Sequence, residues 1–408
     1  MSKLEELIKE YCPNGVEYAK IGDICDISRG QVMSKDFIRD NSGEYPVYSS
    51  QTENEGVLGK ISTYMFDGEY LTWTTDGANA GMVFYRKGKF SVTNVCGLLK
   101  VASKNVFPKF LYYALSVVTS KYVNKGMGNP KLMSNVMARI QIPLPALPVQ
   151  REIVRVLDSF TLYSAELTAE LTARRKQYEF YRDKLLKFDG GNIPRVKLKD
   201  IATEFYRGYG ITREQVTKEG IPCVRYGEIY TTYNTWFDKC VSYTKVEDIA
   251  SPKYFEYGDI LFAITGESVE DIAKSAAYIG NEKCLAGGDI VVMKHKQNPK
   301  FLAYALSTFD ARQQKSKGKI KSKVVHSNVP SIENIEIYLP PMDVQERIVK
   351  VLDNFDAICS DLGIGLPAEI EKRQKQYEYY REKLLTFDGK YATILTERNG
   401  TERTGRAD

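Results

Sequence analysis

The sequence contains few of the residues that metal centres and proton-transfer catalysis usually need. Only two histidines occur among its 408 residues, His295 and His326. Its cysteines are odd in number and widely scattered, with no Cys-x-x-Cys pair, which argues against both a disulfide framework and a zinc site. We therefore expect reduced, buried thiols. The seven positions are Cys12, Cys25, Cys96, Cys223, Cys240, Cys284 and Cys359.

Long apolar runs are also missing, so the sequence predicts no transmembrane helix. The first ten residues are charged and follow a helical pattern, which is not typical of a signal peptide. Hydrophobic residues make up 43% of the chain and charged residues 27%, a balance typical of soluble globular proteins. We expect a cytoplasmic protein of two or three domains. Its net charge of +5 is compatible with a polyanionic partner.

Signature motifs of nucleotide-driven and methyl-transferring enzymes are absent as well. The sequence has no Gly-x-x-x-x-Gly-Lys-Ser/Thr phosphate loop and no Asn/Asp-Pro-Pro-Tyr/Phe methyltransferase motif. No glycine-rich loop suited to S-adenosylmethionine follows a predicted strand. A nuclease Asp…Glu-x-Lys constellation is not evident, although that pattern is loose. We therefore predict no catalytic, cofactor-binding or metal-ligating residue.

What the sequence does contain is an internal duplication. Residues 177–190 and 376–389 are identical at eleven of fourteen positions. Shorter matches continue upstream, such as Pro108-Lys-Phe-Leu111 with Pro299-Lys-Phe-Leu302, and reach an echo of Arg29-Gly30 in Arg207-Gly208. Between these anchors the two halves are dissimilar. Each half is therefore predicted to be a variable globular domain followed by a constant helical segment.

Both helical segments carry a heptad seam of apolar residues, which predicts packing along another helix. The first helix should run from about 149 to 187. In the first segment the seam is Ile153, Leu157, Phe160, Leu167, Leu171, Tyr178, Tyr181 and Leu185. In the second it is Ile348, Leu352, Phe355, Leu362, Ile370, Tyr377, Tyr380 and Leu384.

The two segments are the obvious partners for each other, packed antiparallel, although an intermolecular coiled coil of two identical chains remains an alternative. The second segment has four extra residues, and such an insertion is a stutter in the heptad pattern. It coincides with Gly363, Gly365 and Pro367. We expect the helix to break near 363–367 and to restart with Pro367 in its first turn.

Three motifs make the sequence resemble the specificity subunit of type I restriction–modification enzymes. The first is Leu144-Pro-Ala-Leu-Pro-Val-Gln150, and the second is the four-residue repeat Ser164-Ala-Glu-Leu167 and Thr168-Ala-Glu-Leu171. The third is the run at 175–186, Arg-Lys-Gln-Tyr-Glu-Phe-Tyr-Arg-Asp-Lys-Leu-Leu, with its copy near the C-terminus. The resemblance covers nearly the whole chain.

The resemblance implies two target-recognition domains, each reading one half of a bipartite double-stranded DNA site. The helices would act as a spacer ruler and as docking surface for two methyltransferase subunits, and restriction/translocase subunits would complete the complex. S-adenosylmethionine, ATP and magnesium would be bound only by those partners. This chain would itself be non-catalytic and without membrane contact.

The expected fold is α+β, with two globular β-rich domains separated by two long antiparallel coiled-coil helices in a pseudo-twofold circular arrangement. The expected segments are an N-terminal helix packing near the C-terminal helix (1–15), target-recognition domain 1 (16–147), a central helical region (148–190), target-recognition domain 2 (191–340), a C-terminal helical region (341–389) and a flexible tail (390–408).

DNA contacts are predicted in loops that combine turn residues with side chains able to reach bases or phosphates. In the first domain the candidates are Tyr48, Ser50, Gln51, Thr52, Thr74, Thr75, Asp76, Asn79, Lys125, Asn129 and Lys131. In the second they are Arg225, Tyr226, Glu228, Thr265, Glu267, Ser268, Lys315, Lys317, Lys319, Lys321 and Lys323. The lysine run is predicted to neutralise phosphate. Ordinary solvated turns are the alternative for each loop.

Two other classes of protein remain open at this stage. One is a self-contained nuclease or methyltransferase with diverged motifs, and the other is a coiled-coil scaffold that binds only proteins. The DNA target sequence itself cannot be read from the residues, because no simple residue-to-base code is visible.

Overall fold

The computed structural model describes residues 3–126, 128–188, 191, 193–317, 324–360 and 365–387. The chain divides into two compact units, one formed by Met1–Glu166 with Glu371–Asp408 and the other by Leu167–Ile370. Each unit contains a β-rich domain and parts of the long helices, so the expected α+β fold class is confirmed. None of the described helices is both long and apolar enough to cross a membrane.

The first unit is built around a six-stranded mixed sheet with the strand order β2-β7-β5-β6-β3-β4, and β1 pairs separately with β8. Its elements are α1 (Lys3–Tyr11), β1 (Glu17–Lys20), α2 (Ile21–Ile24), β2 (Cys25–Arg29), α3 (Lys35–Asp40), β3 (Ser42–Tyr48), β4 (Val57–Ile61), β5 (Phe66–Thr74), β6 (Val83–Val92), β7 (Cys96–Val101), α4 (Pro108–Val118), α5 (Ser134–Met137), β8 (Gln141–Leu144) and the start of α6 (Leu147–Leu185).

The core of this sheet is organised around Trp73, which is fully buried and donates its indole N–H to the carbonyl of Leu132 at 2.9 Å. Its cross-strand partner on β7 is Gly97. A Cβ at that position would collide with the indole ring. Glycine is therefore required there, because the ring lies directly against the neighbouring backbone.

The second unit has two five-stranded sheets, ordered β10-β20-β16-β18-β13 and β11-β14-β12-β19-β15, and two small strand pairs, β9-β22 and β17-β21. Its elements after α6 are β9 (Arg195–Lys197), α7 (Leu198–Ile201), β10 (Ala202–Arg207), β11 (Val216–Thr217), β12 (Ile221–Val224), α8 (Tyr226–Thr231), β13 (Trp236–Phe237), β14 (Ser242–Thr244), β15 (Tyr254–Phe255), β16 (Ile260–Ala263), β17 (Thr265–Gly266), β18 (Ser275–Tyr278), β19 (Cys284–Ala286), β20 (Ile290–His295), α9 (Pro299–Leu306), α10 (Phe309–Ser316), β21 (Val325–His326), α11 (Val329–Glu333), β22 (Glu336–Tyr338), α12 (Met342–Ser360) and the start of α13 (Leu366–Thr386).

The duplication is visible in the framework of both units. Each unit has a separate pair of strands, β1 with β8 and β9 with β22. A one-turn helix follows the first strand of each pair. The next strand then pairs antiparallel with a later one, β2 with β7 and β10 with β20. The remaining strands differ in number and order, so the framework is shared and the insert is not.

A repeated hydrogen-bond network fastens each β-rich domain to its helix. Asp158 on α6 accepts from Lys109 Nζ at 2.7 Å and from the Tyr113 hydroxyl at 2.6 Å. In the second unit Asp353 on α12 accepts from Lys300 Nζ and from the Tyr304 hydroxyl of α9, each at 2.7 Å. Because charged acceptors make the stronger hydrogen bonds, these aspartates fix the angle between domain and helix.

A buried glutamine completes this network in both copies. Gln150 accepts from the Phe107 amide at 2.8 Å and donates to the Pro145 carbonyl at 2.7 Å. Gln345 likewise accepts from the Asn298 amide at 3.1 Å and donates to a proline carbonyl at 2.8 Å. The glutamines therefore satisfy backbone groups at the junction of domain and helix, which explains why the duplication preserves them.

Helix α6 spans 39 residues, in agreement with the predicted 149–187. In the first unit Phe160 stacks on Tyr380 with ring centroids 5.6 Å apart, while Arg373 lies 5.1 Å from the ring of Tyr163. From Phe160 to Tyr163 of α6 the contacted residue of α13 changes from Tyr380 to Arg373, so these stretches of the two helices are antiparallel. In the second unit Tyr181 stacks on Phe355 of α12 at 6.2 Å.

The predicted seam is wrong at the C-terminal end of α6. Leu185 is 36% exposed, whereas the next residue, Leu186, is buried. In the second copy the half-buried Leu384 packs against the cluster that contains the buried Leu385. The buried residues at the end of α6, among them Tyr178, are spaced by four because they face a globular domain, to which a straight helix presents a 3.6-residue period.

The second helical segment consists of two helices, α12 and α13, and Pro367 lies in the first turn of α13 as predicted. Gly363 and the predicted seam residue Leu362 lie outside the described residues. The same holds for the expected tail at 390–408.

The N-terminal helix α1 belongs to the core of the first unit. Leu4 and Ile8 are buried in one cluster with Leu385 of α13. Lys3 lies 3.5 Å from the buried carboxylate of Glu152 on α6. Helix α1 thus shares a buried cluster with residues of both long helices of this unit. All seven cysteines are free thiols, and all but the half-buried Cys12 are buried.

Candidate nucleic-acid interface

The three candidate loops of the first domain meet at one edge of its sheet. Asn79 donates its side-chain amide to the Thr52 hydroxyl at 2.9 Å, which joins the loop at 74–79 to the loop at 48–52. Asp76 forms a β-bridge with Lys131, and the Gly77 amide donates to Pro130. Loops that are far apart in sequence therefore form a single surface.

Most candidates on this surface can reach a ligand. The exposed ones are Gln51, Asn79, Lys125, Asn129 and Lys131, and the half-buried ones are Tyr48, Ser50, Thr52 and Asp76. Tyr48 is held firmly, because the buried guanidinium of Arg86 lies 3.6 Å from its ring centroid. Burial lowers the pKa of Arg86, and its side chain also donates to Thr72. The surface therefore combines amide, hydroxyl and lysine groups on a fixed base.

Thr74 and Thr75 do not belong to this surface, and their prediction as DNA contacts is wrong. Both are fully buried. Thr74 donates its hydroxyl to the Asn79 carbonyl, and the Thr75 hydroxyl lies 2.9 Å from the Val95 carbonyl. Thr74 ends strand β5 and Thr75 follows it inside the domain, where their hydroxyls satisfy backbone carbonyls of two different turns.

Sequence reasoning missed two exposed amides on the same edge, Gln31 and Asn94. The backbone N–H of Asn94 donates to the backbone carbonyl of Gln31 at 3.0 Å, and Gln31 also forms a bridge with Thr93. The Arg-Gly pair at 29–30, which recurs at 207–208, could have pointed to this part of the surface. A Cβ at Gly30 would overlap the Val92 carbonyl, so the glycine marks a close crossing of two chain segments.

The second domain has the equivalent crossing. Tyr209 forms a bridge with Gly287, and a Cβ at Gly208 would overlap the Gly287 carbonyl. Beside it lies a cleft of about 780 Å³. Among the residues that line it are Arg207, Tyr209, Arg213, Arg225 and Tyr226. Two of the predicted contacts, Arg225 and Tyr226, thus lie together with Arg207, Tyr209 and Arg213, which were not predicted as contacts.

Glu228 is part of the lining of this cleft but is buried and fully engaged by protein donors, so its prediction as a direct DNA contact is wrong. Its carboxylate accepts from the Ser242 hydroxyl at 2.7 Å and from the Arg225 backbone amide at 3.1 Å. It also accepts from the Arg225 side chain at 3.2 Å. Protein donors therefore already occupy both oxygens of the carboxylate.

The three candidate residues in the loop at 265–268 differ in burial. Thr265 is buried, with its hydroxyl 3.2 Å from Nδ1 of His326. Its prediction as a DNA contact is therefore wrong. Glu267 is exposed, and Ser268 is half-buried and donates to Asp271 at 3.0 Å. For these two residues a DNA contact stays a prediction that rests on their exposure alone.

The two described lysines of the predicted run, Lys315 and Lys317, differ in burial. Lys315 is buried, and its Nζ donates to the Leu306 carbonyl at 2.9 Å and to the Ser275 hydroxyl at 3.2 Å. It therefore cannot neutralise phosphate, and this prediction is wrong. Lys317 is exposed. Lys319, Lys321 and Lys323 lie outside the described residues.

The chain thus has two β-rich modules on a duplicated framework, each with polar loops that meet at one edge. The sequence model of the family described as "Type I restriction modification DNA specificity domain" matches twice, at residues 13–174 and 193–372. The chain belongs to this family of type I restriction–modification specificity subunits.

Two Mycoplasma pneumoniae proteins are similar over most of the chain. S.MpnORF507P, named as a provisional type I specificity subunit, is 36% identical over 90% of this chain and 96% of its own length. S.MpnORF89P, named in the same way, is 33% identical over 83% of this chain and its full length.

Solved structures support the fold. The S subunit of a type I restriction–modification system from M. genitalium matches with a TM-score of 0.52 at 15% identity, covering 91% of this chain and 97% of that chain. A chain from work on complex assembly and conformational transition of the type I R-M system matches with a TM-score of 0.60 at 14% identity, covering 91% and 98%.

Proposed function

We propose that this chain selects the DNA sequence on which a type I restriction–modification complex acts, with each β-rich domain reading one half of a bipartite site. The observation that carries the proposal is the convergence of loops at one sheet edge in each domain. Polar groups there stand on a rigid framework, as base recognition requires.

The two edges differ in chemistry, which favours two different half-sites. The first carries exposed amides, including Gln31, Gln51 and Asn94, and the second carries arginine and tyrosine side chains, including Arg225 and Tyr226. Amides suit adenine edges, whereas arginine suits guanine. We expect the half-site centres to lie about 10 bp apart, so that both domains approach one face of the DNA.

We further propose that the long helices set the spacing of the half-sites and dock two methyltransferase subunits. Phe180 on α6 and Tyr379 on α13 occupy the same position of the duplicated motif and are 62% and 60% exposed. Each stacks edge-on against the next tyrosine, at 5.3 and 5.4 Å. Exposed aromatic residues with this repeated geometry suit two copies of one partner.

Chemistry is assigned to the partners in this proposal. The methyltransferase subunits would bind S-adenosylmethionine, and restriction/translocase subunits would bind ATP and magnesium. The present chain would supply recognition and assembly and would itself be non-catalytic. The absence of signature motifs from the sequence supports this division.

Methylome mapping tests the proposal. The chain is co-expressed with its methyltransferase subunits in a host without adenine methylation, and methylated adenines are mapped across the genome. We expect one bipartite motif, and we expect exchange of residues 16–147 for another first domain to change one half of it. Methyl transfer by the isolated chain would instead indicate a self-contained enzyme. Complexes that assemble without any DNA preference would indicate a protein scaffold.

A further inference from the structure

Arg225, in the cleft of the second domain, has an unusual setting for a surface arginine. Its Nε and Nη2 both lie 3.2 Å from Oε1 of Glu228. The arginine side chain is 30% exposed and that of Glu228 only 9%. Glu228 is in turn fixed by the Ser242 hydroxyl at 2.7 Å and by the Arg225 amide at 3.1 Å. The guanidinium is thus held along one edge by a carboxylate that is itself immobilised.

This arrangement decides which donors remain for a ligand. The carboxylate occupies the Nε side of the planar guanidinium, and none of the described residues accepts a hydrogen bond from Nη1 of Arg225. Each terminal nitrogen of a guanidinium has two N–H bonds, so the second N–H of Nη2 and the facing N–H of Nη1 form an end-on pair that remains available, with its orientation already fixed. A pre-oriented arginine loses little side-chain entropy when it binds, which is the condition for selective bidentate contacts.

Glycines leave room in front of Arg225. Gly210 and Gly227 line the cleft, and a Cβ at either would meet nothing within 4 Å. Gly287 lies close to Arg225, because a Cβ there would be 3.3 Å from the Arg225 Cα. Where the lining consists of glycines, the edge of a base can approach the backbone closely. Tyr209 and Tyr226, 41% and 39% exposed, also line the cleft.

We propose that Arg225 recognises a guanine in the half-site read by the second domain, through end-on hydrogen bonds to O6 and N7, and that Glu228 is its positioning residue. This inference rests on the proposed function. A phosphate contact is disfavoured because Glu228 offsets the charge of Arg225 while leaving its directional donors in place. Arg213, exposed in the same cleft, suits phosphate better.

The test uses the complex of this chain with its methyltransferase subunits and DNA duplexes carrying the mapped motif. Each guanine of the second half-site is replaced in turn by 7-deazaguanine, which lacks the N7 acceptor. At one position the wild-type complex should bind several-fold more weakly, and Arg225→Ala should be insensitive to the replacement. On normal DNA, Arg225→Ala should lose roughly 5- to 140-fold of its discrimination at that position.

Two further variants separate recognition from simple loss of fold or charge. Arg213→Ala is the matched control, which should weaken binding to all sequences equally and keep the 7-deazaguanine effect. Glu228→Gln removes the charge but keeps the shape. It should reduce guanine discrimination and steepen the salt dependence of binding, since Arg225 is then released to contact phosphate.

The outcomes distinguish this inference from the proposed function. Uniform weakening by Arg225→Ala with no 7-deazaguanine effect would assign Arg225 to phosphate and overturn the inference. A second half-site without guanine on either strand would overturn it as well. If the wild-type complex showed no sequence preference in either half-site, the proposed function itself would fail.

Discussion

The amino group of Lys315 is buried, although the lysine-rich sequence around it suggests an exposed charge. Burial, with a smaller contribution from Arg312, lowers the pKa of Lys315 to about 7. Sequence alone could not separate it from the neighbouring lysines, because charge runs are usually solvated. The difference comes from helix α10, whose buried face includes Ala311 and Lys315.

This pKa makes the stability of the second unit depend on pH. In the unfolded chain Lys315 keeps the proton up to its ordinary pKa near 10.5, whereas the folded chain releases it above about pH 7. The unfolded state thus binds more protons between these values, so stability rises with pH in this window. From pH 7 to pH 9 the gain from this group is about 2 kcal/mol.

Urea unfolding of the wild type and Lys315→Met at pH 7 and pH 9 measures this effect. The difference in free energy of unfolding between the two proteins should shift by about 2 kcal/mol in favour of the wild type as the pH rises. Lys317→Met is the control, because this neighbouring lysine is exposed. A difference that is the same at both pH values would show that Lys315 keeps its proton when folded.

Periodic patterns in the sequence predicted the long helices well, but they did not predict contacts between residues that are far apart in the chain. The 39 residues of α6 and the restart of α13 at Pro367 follow from local spacing and local proline geometry. Gln31 and Asn94 were missed because their pairing joins residues more than sixty positions apart. Thr74 and Thr75 looked like loop residues, but strand β5 continues into the core before it turns.

The four-residue repeat in α6 should set the spacing of the DNA half-sites. Ser164–Leu171 lies wholly within the helix, and its alanines and glutamates are exposed, so one unit can be added without breaking the core. Inserting Thr-Ala-Glu-Leu after Leu171 lengthens α6 by about 6 Å and rotates the C-terminal part of the helix by about 40°. Since a base pair rises about 3.4 Å, the spacer of the methylated motif should grow by one or two base pairs.

The measurement is the methylome of a host that expresses the lengthened chain with its methyltransferase subunits. Both half-site sequences should stay the same, because neither domain is altered. Insertion of Gly-Gly-Ser-Gly at the same place is the control, which should interrupt the helix and give no single defined spacer. An unchanged spacer in the Thr-Ala-Glu-Leu variant would show that α6 is not the ruler.

For the whole molecule, the duplication predicts which features occur twice and which occur once. Asp158 and Asp353 make the same hydrogen bonds in their two units, and the exposed aromatics Phe180 and Tyr379 hold the same geometry. The sheets that these frameworks carry are different. Docking to a repeated partner should therefore depend on the shared surface, and DNA choice on the part that is not shared.

Phe180→Ala and Tyr379→Ala should each weaken the binding of one methyltransferase subunit. Loss of a central aromatic contact costs about 2 kcal/mol or more, which corresponds to roughly 30-fold in Kd. Native mass spectrometry of the purified complexes should show one subunit retained in each single variant and neither in the double variant. Leu162→Ala is a matched control, because Leu162 is 64% exposed on the same helix but the second copy has Ala357 at the corresponding position. If both single variants kept two methyltransferase subunits at limiting concentration, the docking surface would have to lie elsewhere on the chain.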